Sequence, residues 1–122
     1  MARNYWVQKF RNAFHGAWIE ACEDRSFRVH FAGAAVVVAC AAALGVTPIE
    51  WCLLLLCITG VLVAELFNSA LESLAKAITD EHHPRIGAAL DIGSAAVLVA
   101  AIGASIIGAI ILGRHALALL GW

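Results

Sequence analysis

The stretch Ile49–Glu72, IEWCLLLLCITGVLVAELFNSALE, decides the fold: an almost wholly apolar run from Ile49 to Phe67 continues without a turn signal into Asn68 and Glu72. About 20 apolar residues in helical form cross the hydrocarbon core of a bilayer, so the run reads as a membrane-spanning helix. Glu65 falls inside it. An ionisable side chain there is costly and usually faces protein or an aqueous cavity where it has a function. Glu65, Asn68 and Glu72 are separated by three and four residues, which puts them on one helix face. At about 1.5 Å of rise per residue, Glu65 and Glu72 stand roughly 10 Å apart along the axis, too far to chelate one small cation together. Different roles follow: one carboxylate to take a proton, and the other, nearer the cytoplasm, to hold a Mg²⁺ that brings phosphates. The bland use of the same face is an interhelical hydrogen-bond cluster that holds an oligomer together.

Two further apolar runs flank this one, at about Val29–Val46 and Gly87–Leu112. With 122 residues, 62% hydrophobic and only 14% charged, the chain is a single domain of the membrane class (1–122). The first 28 residues are mixed and charge-rich, unlike a cleaved signal peptide. Within them, Trp6, Phe10, Phe14 and Trp18 recur at helical spacing with Lys9, Arg11 and Glu20 on other faces, predicting an interfacial amphipathic helix over about 4–24. Asp24-Arg25-Ser26 marks a turn into the first span. Thr47-Pro48 marks the next, with Pro48 and Glu50 suited to a helix start. The second helix continues past its apolar part through Leu71, Leu74 and Ile78 until Asp80-Glu81-His82-His83-Pro84 ends it. Small residues, among them Gly93, Ala96, Ala104 and Gly108, predict close packing of the third span against neighbours.

Arg3, Lys9, Arg11, Arg25 and Arg28 precede the first span, Lys76 and Arg85 lie between the second and third, and the 45–50 connection carries no base. The positive-inside rule therefore puts the N-terminus in the cytoplasm and Arg114 with the C-terminus outside. A net charge of −1 and no basic stripe exclude a nucleic-acid binder. Cys22, Cys40, Cys52 and Cys57 lack C-x-x-C spacing and read as small packing residues. His30 reads as an interfacial side chain, and His82 and His83 as part of a solvated loop. Neither P-loop nor protein-kinase motifs occur, so any phosphoryl transfer here uses a different construction. Asp91 and Ser94 lie one turn apart near the start of the third span, and three helices are few to enclose so many polar groups, which predicts an oligomer. A transmembrane proton or ion relay is disfavoured by the apolar outer halves of the spans, and a noncatalytic scaffold leaves the Glu65 face without purpose.

The run Glu65-Leu-Phe-Asn68-Ser-Ala-Leu-Glu72, followed by Asp91-Ile-Gly-Ser-Ala-Ala-Val-Leu98, resembles the bacterial diacylglycerol kinase and undecaprenol kinase family. So do Asp24-x-x-Phe27-Arg28, Glu50-Trp51 and Glu81-x-His83. The resemblance implies an all-α homotrimer in the bacterial inner membrane, with an interfacial helix and three transmembrane helices per subunit. It implies active sites shared between subunits and ATP- and Mg²⁺-dependent phosphorylation of a lipid hydroxyl, diacylglycerol first and undecaprenol as the alternative. On matching positions it implies Glu65 as the general base, and Glu72 with Asp24 as metal ligands, Asp24 standing where the family has Glu. Asn12, Asn68, Glu81, His83 and Asp91 would serve the nucleotide, and Trp51 and Ser94 the lipid, beside Glu65. The chain departs from the family at two places: Leu90 stands where Lys is usual, and Lys76 where Asp is usual. This exchange predicts that Lys76 neutralises the phosphates from the opposite wall of the site.

Overall fold

A computed structural model describes residues 2–122, with side chains from Asn4 onward, as four helices. They are α1 (Ala2–Glu23), α2 (Arg25–Leu44), α3 (Pro48–Ile78) and α4 (Pro84–Leu119). The last three are long and apolar enough to cross a membrane. At about 1.5 Å per residue, the 31 residues of α3 reach roughly 46 Å, well beyond a hydrocarbon core of about 30 Å. The segment from Asn68 to Ile78 therefore extends as helix past the apolar part, as its sequence pattern predicts.

Each break between helices has a local cause. Asp24 alone separates α1 from α2: its backbone is extended (φ −99°, ψ 112°), and its side chain caps α2 by accepting from the Ser26 amide at 2.8 Å. At the other end of α2, Gly45 takes the left-handed conformation (φ 69°) and its amide returns to the Ala41 carbonyl. A side chain is disfavoured at that φ, which makes glycine the natural stop. Thr47 and Glu50 then form a capping box at the start of α3, each side chain accepting from the other's backbone amide. His83 caps α4, accepting from the Arg85 amide through Nδ1 at 3.2 Å. This gives a defined structural duty to a residue that reads in the sequence as part of a solvated loop.

α2, α3 and α4 run up, down and up. Near the α2–α3 turn, Ala41, Val46, Leu54 and Ile111 form a small buried cluster with Trp51 packed against it. At that same end, His115 on α4 and Glu50 on α3 meet at 2.8 Å, a polar tie that the apolar reading of the outer halves does not foresee. Around it, much of the apolar helix surface is exposed, including Leu56, Phe67, Val99 and Ile102, as suits helices whose neighbours are lipid or further helices.

Among the described residues the α3–α4 contact is the most extensive, and Gly93 is a point of close approach within it. A Cβ placed on Gly93 would lie 2.5 Å from Asn68 Oδ1 and 3.2 Å from Leu71 Cδ1. The substitution Gly93→Ala is therefore expected to push α4 from α3 and dislodge Asn68, at an overpacking cost of about 1–3 kcal/mol. A lower thermal unfolding midpoint in detergent, against an equal or higher one for Gly103→Ala, where a Cβ meets open space in the helix interior, is the measurement that checks it.

Candidate functional site

Where the start of α2 meets the middle of α3 and the N-terminal half of α4, the helices frame an open cavity of about 720 Å³. Asp24, Ser26, His30, Glu65, Asn68, Glu72 and Ser94 supply polar walls, and Val29, Val97, Leu98 and Ala101 supply apolar ones. Glu65 is only 3% exposed and Asn68 7%. Both are buried because their shared face on α3 points at α2 and α4 rather than outward. Asn68 donates through Nδ2 to Glu72 Oε1 at 3.1 Å, and its Oδ1 is buried against Gly93 without a hydrogen-bond partner among the described residues.

Asp24 is held from two sides, by the Ser26 amide on Oδ1 at 2.8 Å and by the Ser69 hydroxyl on Oδ2 at 2.5 Å. Glu20, one turn earlier on α1, brings a third carboxylate. Single oxygens of Glu20, Asp24 and Glu65 all lie within 4.8 Å of one another. Like charges so close are unfavourable. Burial, reinforced by hydrogen bonding to Asp24 and by its charge, pushes the Glu20 carboxyl up to about 7. The hydrogen bond from Glu20, helped by those from Ser69 and Ser26, holds Asp24 down at about 2 against the effect of burial. Below about pH 7 the pair is thus mainly a protonated Glu20 beside an ionised Asp24. His30 Nε2 stands 3.7 Å from Glu65 Oε2.

A second cavity of about 380 Å³ lies beyond the first, lined by Glu72, Lys76, Thr79, Glu81, His82, His83, Gly87 and Leu90. Glu72 lines both cavities, while Glu65 lines only the first. Lys76 and Leu90 share the second one.

The structure therefore groups the residues singled out in the sequence into two neighbouring sets: Asp24, Glu65, Asn68, Glu72 and Ser94 in one, and Glu72, Lys76, Glu81 and His83 in the other. Three residues join neither. Asn12 lies on α1 bonded to Gln8. Asp91 is exposed on α4. Trp51 packs at the far end of α3, 14 positions or about 21 Å of helix from Glu65. Glu20, His30 and Ser69 are the additions. Glu20 and Ser69 carried a signal, since Glu20 precedes Asp24 by four residues and Ser69 follows Glu65 by four, but helical spacing alone does not say which face meets which. The oxygen-only donor set suits a hard cation such as Mg²⁺. The three carboxylates that converge are Glu20, Asp24 and Glu65, while Glu72 faces the same cavity hydrogen-bonded to Asn68.

Comparison with known proteins names the architecture. The sequence model described as "Prokaryotic diacylglycerol kinase" matches residues 11–112. This chain belongs to that family. It is 38% identical over 108 residues to the undecaprenol kinase of Bacillus subtilis (strain 168), covering 88% of each chain. It is 37% identical over 99 residues to the diacylglycerol kinase of Escherichia coli (strain K12), covering 81% of this chain and 79% of that one. A diacylglycerol kinase of Synechocystis sp. (strain ATCC 27184 / PCC 6803 / Kazusa) is 36% identical over 120 residues, covering 92% of this chain and 68% of the relative. The protein is a membrane-embedded lipid kinase.

The raised Glu20 carboxyl sets a pH dependence. Its proton is kept in the fold above the unfolded value near 4.5, so the native state binds more protons than the unfolded chain between about 4.5 and 7. The associated stability is present below that window and is lost as pH rises through about 7. The thermal midpoint in detergent is expected to fall as pH rises from about 5 to about 8, and Glu20→Gln is expected to flatten that slope.

Proposed function

We propose that the protein transfers the γ-phosphoryl group of ATP to the hydroxyl of a membrane lipid at the cytoplasmic surface, with the lipid in the larger cavity and the nucleotide in the smaller. The observation that carries this reading is the pair of adjoining cavities with Glu72 in the wall of both. The larger joins carboxylates to an apolar wall of Val29, Val97, Leu98 and Ala101, which suits a lipid that presents a hydroxyl at the end of a hydrocarbon body. The smaller carries the charged and histidine side chains of Glu72, Lys76, Glu81, His82 and His83 among Ala75, Ile86 and Leu90, and lies at the α3–α4 connection, where a water-soluble nucleotide can arrive.

Glu65 is the general base. It is buried beside the apolar wall and takes the hydroxyl proton as the oxygen attacks phosphorus, a late demand in a loose phosphoryl-transfer reaction. Asp24 and Glu72 would hold Mg²⁺, which when bound neutralises phosphate charge. Asn68 holds Glu72 in place through its amide. Ser94 lies on the lipid side of the first cavity, and Glu81 and His83 line the nucleotide side of the second. Asn12, Asp91 and Trp51 stand apart within one chain. For Asn12 and Asp91 the assigned roles require a neighbouring subunit to bring them to a site, as a homotrimer with shared active sites would; Trp51, about 21 Å of helix from Glu65, keeps its depth in any such assembly and is left out of the lipid site. The exposed aromatic side chains of α1, Trp6, Phe10, Phe14 and Trp18, suit a helix lying in the headgroup layer. The charge distribution supports a cytoplasmic N-terminus and an external C-terminus in a bacterial inner membrane.

Diacylglycerol is the acceptor that Gly93-Ser94-Ala95-Ala96 favours. Undecaprenol is the second reading, favoured by Ser26-Phe27-Arg28-Val29-His30 and by 38% identity over 88% of each chain to an undecaprenol kinase. Purified protein given labelled ATP, Mg²⁺ and each lipid in turn is expected to label one of the two, with Glu65→Gln lowering the rate by at least about a hundredfold, the scale of general-base catalysis. Absence of label from every lipid in a folded preparation would overturn the reading.

Lys76 supplies the cation that Leu90 does not. The two residues line one cavity, so a charge moved from α4 to α3 still faces the same space. Lys76→Leu is expected to abolish ATP turnover with assembly intact by size-exclusion chromatography, and adding Leu90→Lys to that variant is expected to restore part of it. Unchanged kinetics in the single variant would remove Lys76 from the site.

A further inference from the structure

Ser69 stands in the row of carboxylates on α3, four residues after Glu65 and three before Glu72. Its hydroxyl donates to Asp24 Oδ2 at 2.5 Å across a sequence separation of 45 residues. This hydrogen bond ties the α1–α2 corner to α3. Glu65, the carboxylate on α3 within 4.8 Å of Asp24, cannot draw an ionised Asp24 toward that helix by charge. The backbone cannot substitute for the Ser69 hydroxyl, since the other Asp24 oxygen is already committed to capping α2 through the Ser26 amide.

Asp24 is also one methylene shorter than the glutamate usual at its position. A shorter side chain has less freedom to find a cation by itself, so where the α1–α2 corner sits relative to α3 decides whether Asp24 and Glu72 can serve the same ion. We infer that Ser69 is a positioning residue for the divalent cation: its hydroxyl holds the Asp24 carboxylate against α3, within the cavity that Glu72 also lines. The inference rests on the reading above that Asp24 and Glu72 bind Mg²⁺. It assigns Ser69 no contact with ATP or lipid.

The test compares Ser69→Ala, Ser69→Thr and Asp24→Asn with the unaltered protein. Two readouts are used: Mn²⁺ binding in the presence of a non-hydrolysable ATP analogue, followed by electron paramagnetic resonance of free Mn²⁺, and the Mg²⁺ and lipid dependence of phosphorylation. Loss of a charge-assisted hydrogen bond corresponds to about tenfold in a binding constant. Ser69→Ala is accordingly expected to weaken Mn²⁺ binding and raise half-saturating Mg²⁺ by about that factor, with the KM for lipid unchanged. Ser69→Thr, which keeps the hydroxyl, is expected to restore both. If Asp24→Asn weakens Mn²⁺ binding and Ser69→Ala does not, the inference fails and the metal reading stands. If Asp24→Asn leaves Mn²⁺ binding unchanged, the metal reading fails and takes the inference with it. Parallel losses in metal and lipid affinity in Ser69→Ala, without recovery in Ser69→Thr, would make the hydroxyl a general packing element and overturn the assignment.

Discussion

A carboxylate buried among apolar helices is the constraint on which the rest of this structure depends. Glu65 lies at 3% exposure near the end of an apolar run, where an uncompensated charge would be strongly unfavourable. Everything polar nearby answers that problem. Asn68 and Glu72 continue the same face toward water, and His30 stands close enough to pair when charged, while Ser26 and Ser69 donate to the neighbouring Asp24. The small residues of α4 then matter because they let its backbone close over this face: Gly93 leaves no room for a Cβ above Asn68. Packing and chemistry are one arrangement here, since the helix approach that buries Asn68 also forms the cavity wall.

The same constraint explains the division of labour. A single polar pocket serving both a lipid and a nucleotide would have to be apolar and strongly hydrated at once. In the proposed arrangement two adjoining pockets avoid the conflict, one placing Val29, Val97 and Leu98 beside Glu65, the other holding Lys76, Glu81 and His83. Glu72 belongs to both because it sits two turns nearer the end of α3 than Glu65, where the helix leaves the apolar zone. Asp24 joins them from another helix only because the chain breaks there: an N-cap residue has a free side chain pointing off the helix end, and α3 lies within its reach.

A large part of this was legible in the sequence. Hydropathy indicated three spans, turn chemistry indicated the breaks between them, though α4 runs on to Leu119, beyond the expected end near Leu112, and the spacing of Glu65, Asn68 and Glu72 indicated a shared face. Helix capping accounts for most of the small differences. Asp24, Gly45 and His83 end or start helices through hydrogen bonds that composition only suggests. His30, read as an interfacial side chain, turned out to face Glu65. Glu20 was read as part of the polar side of an amphipathic helix, and the fold turns that side toward Asp24 and Glu65.

By itself, then, the sequence determined what each helix is and which of its residues share a face, because helical periodicity is a local property written in every four consecutive residues. It also determined the family through the run from Glu65 to Glu72 and its counterpart from Asp91 to Leu98. Only the tertiary structure decided which faces meet. The contacts of Ser69 with Asp24, of His115 with Glu50 and of Asn68 with Gly93 join residues 45, 65 and 25 positions apart. These contacts depend on how rigid helices rotate and approach one another, which a change of one small residue on a neighbouring helix can alter and no local pattern records.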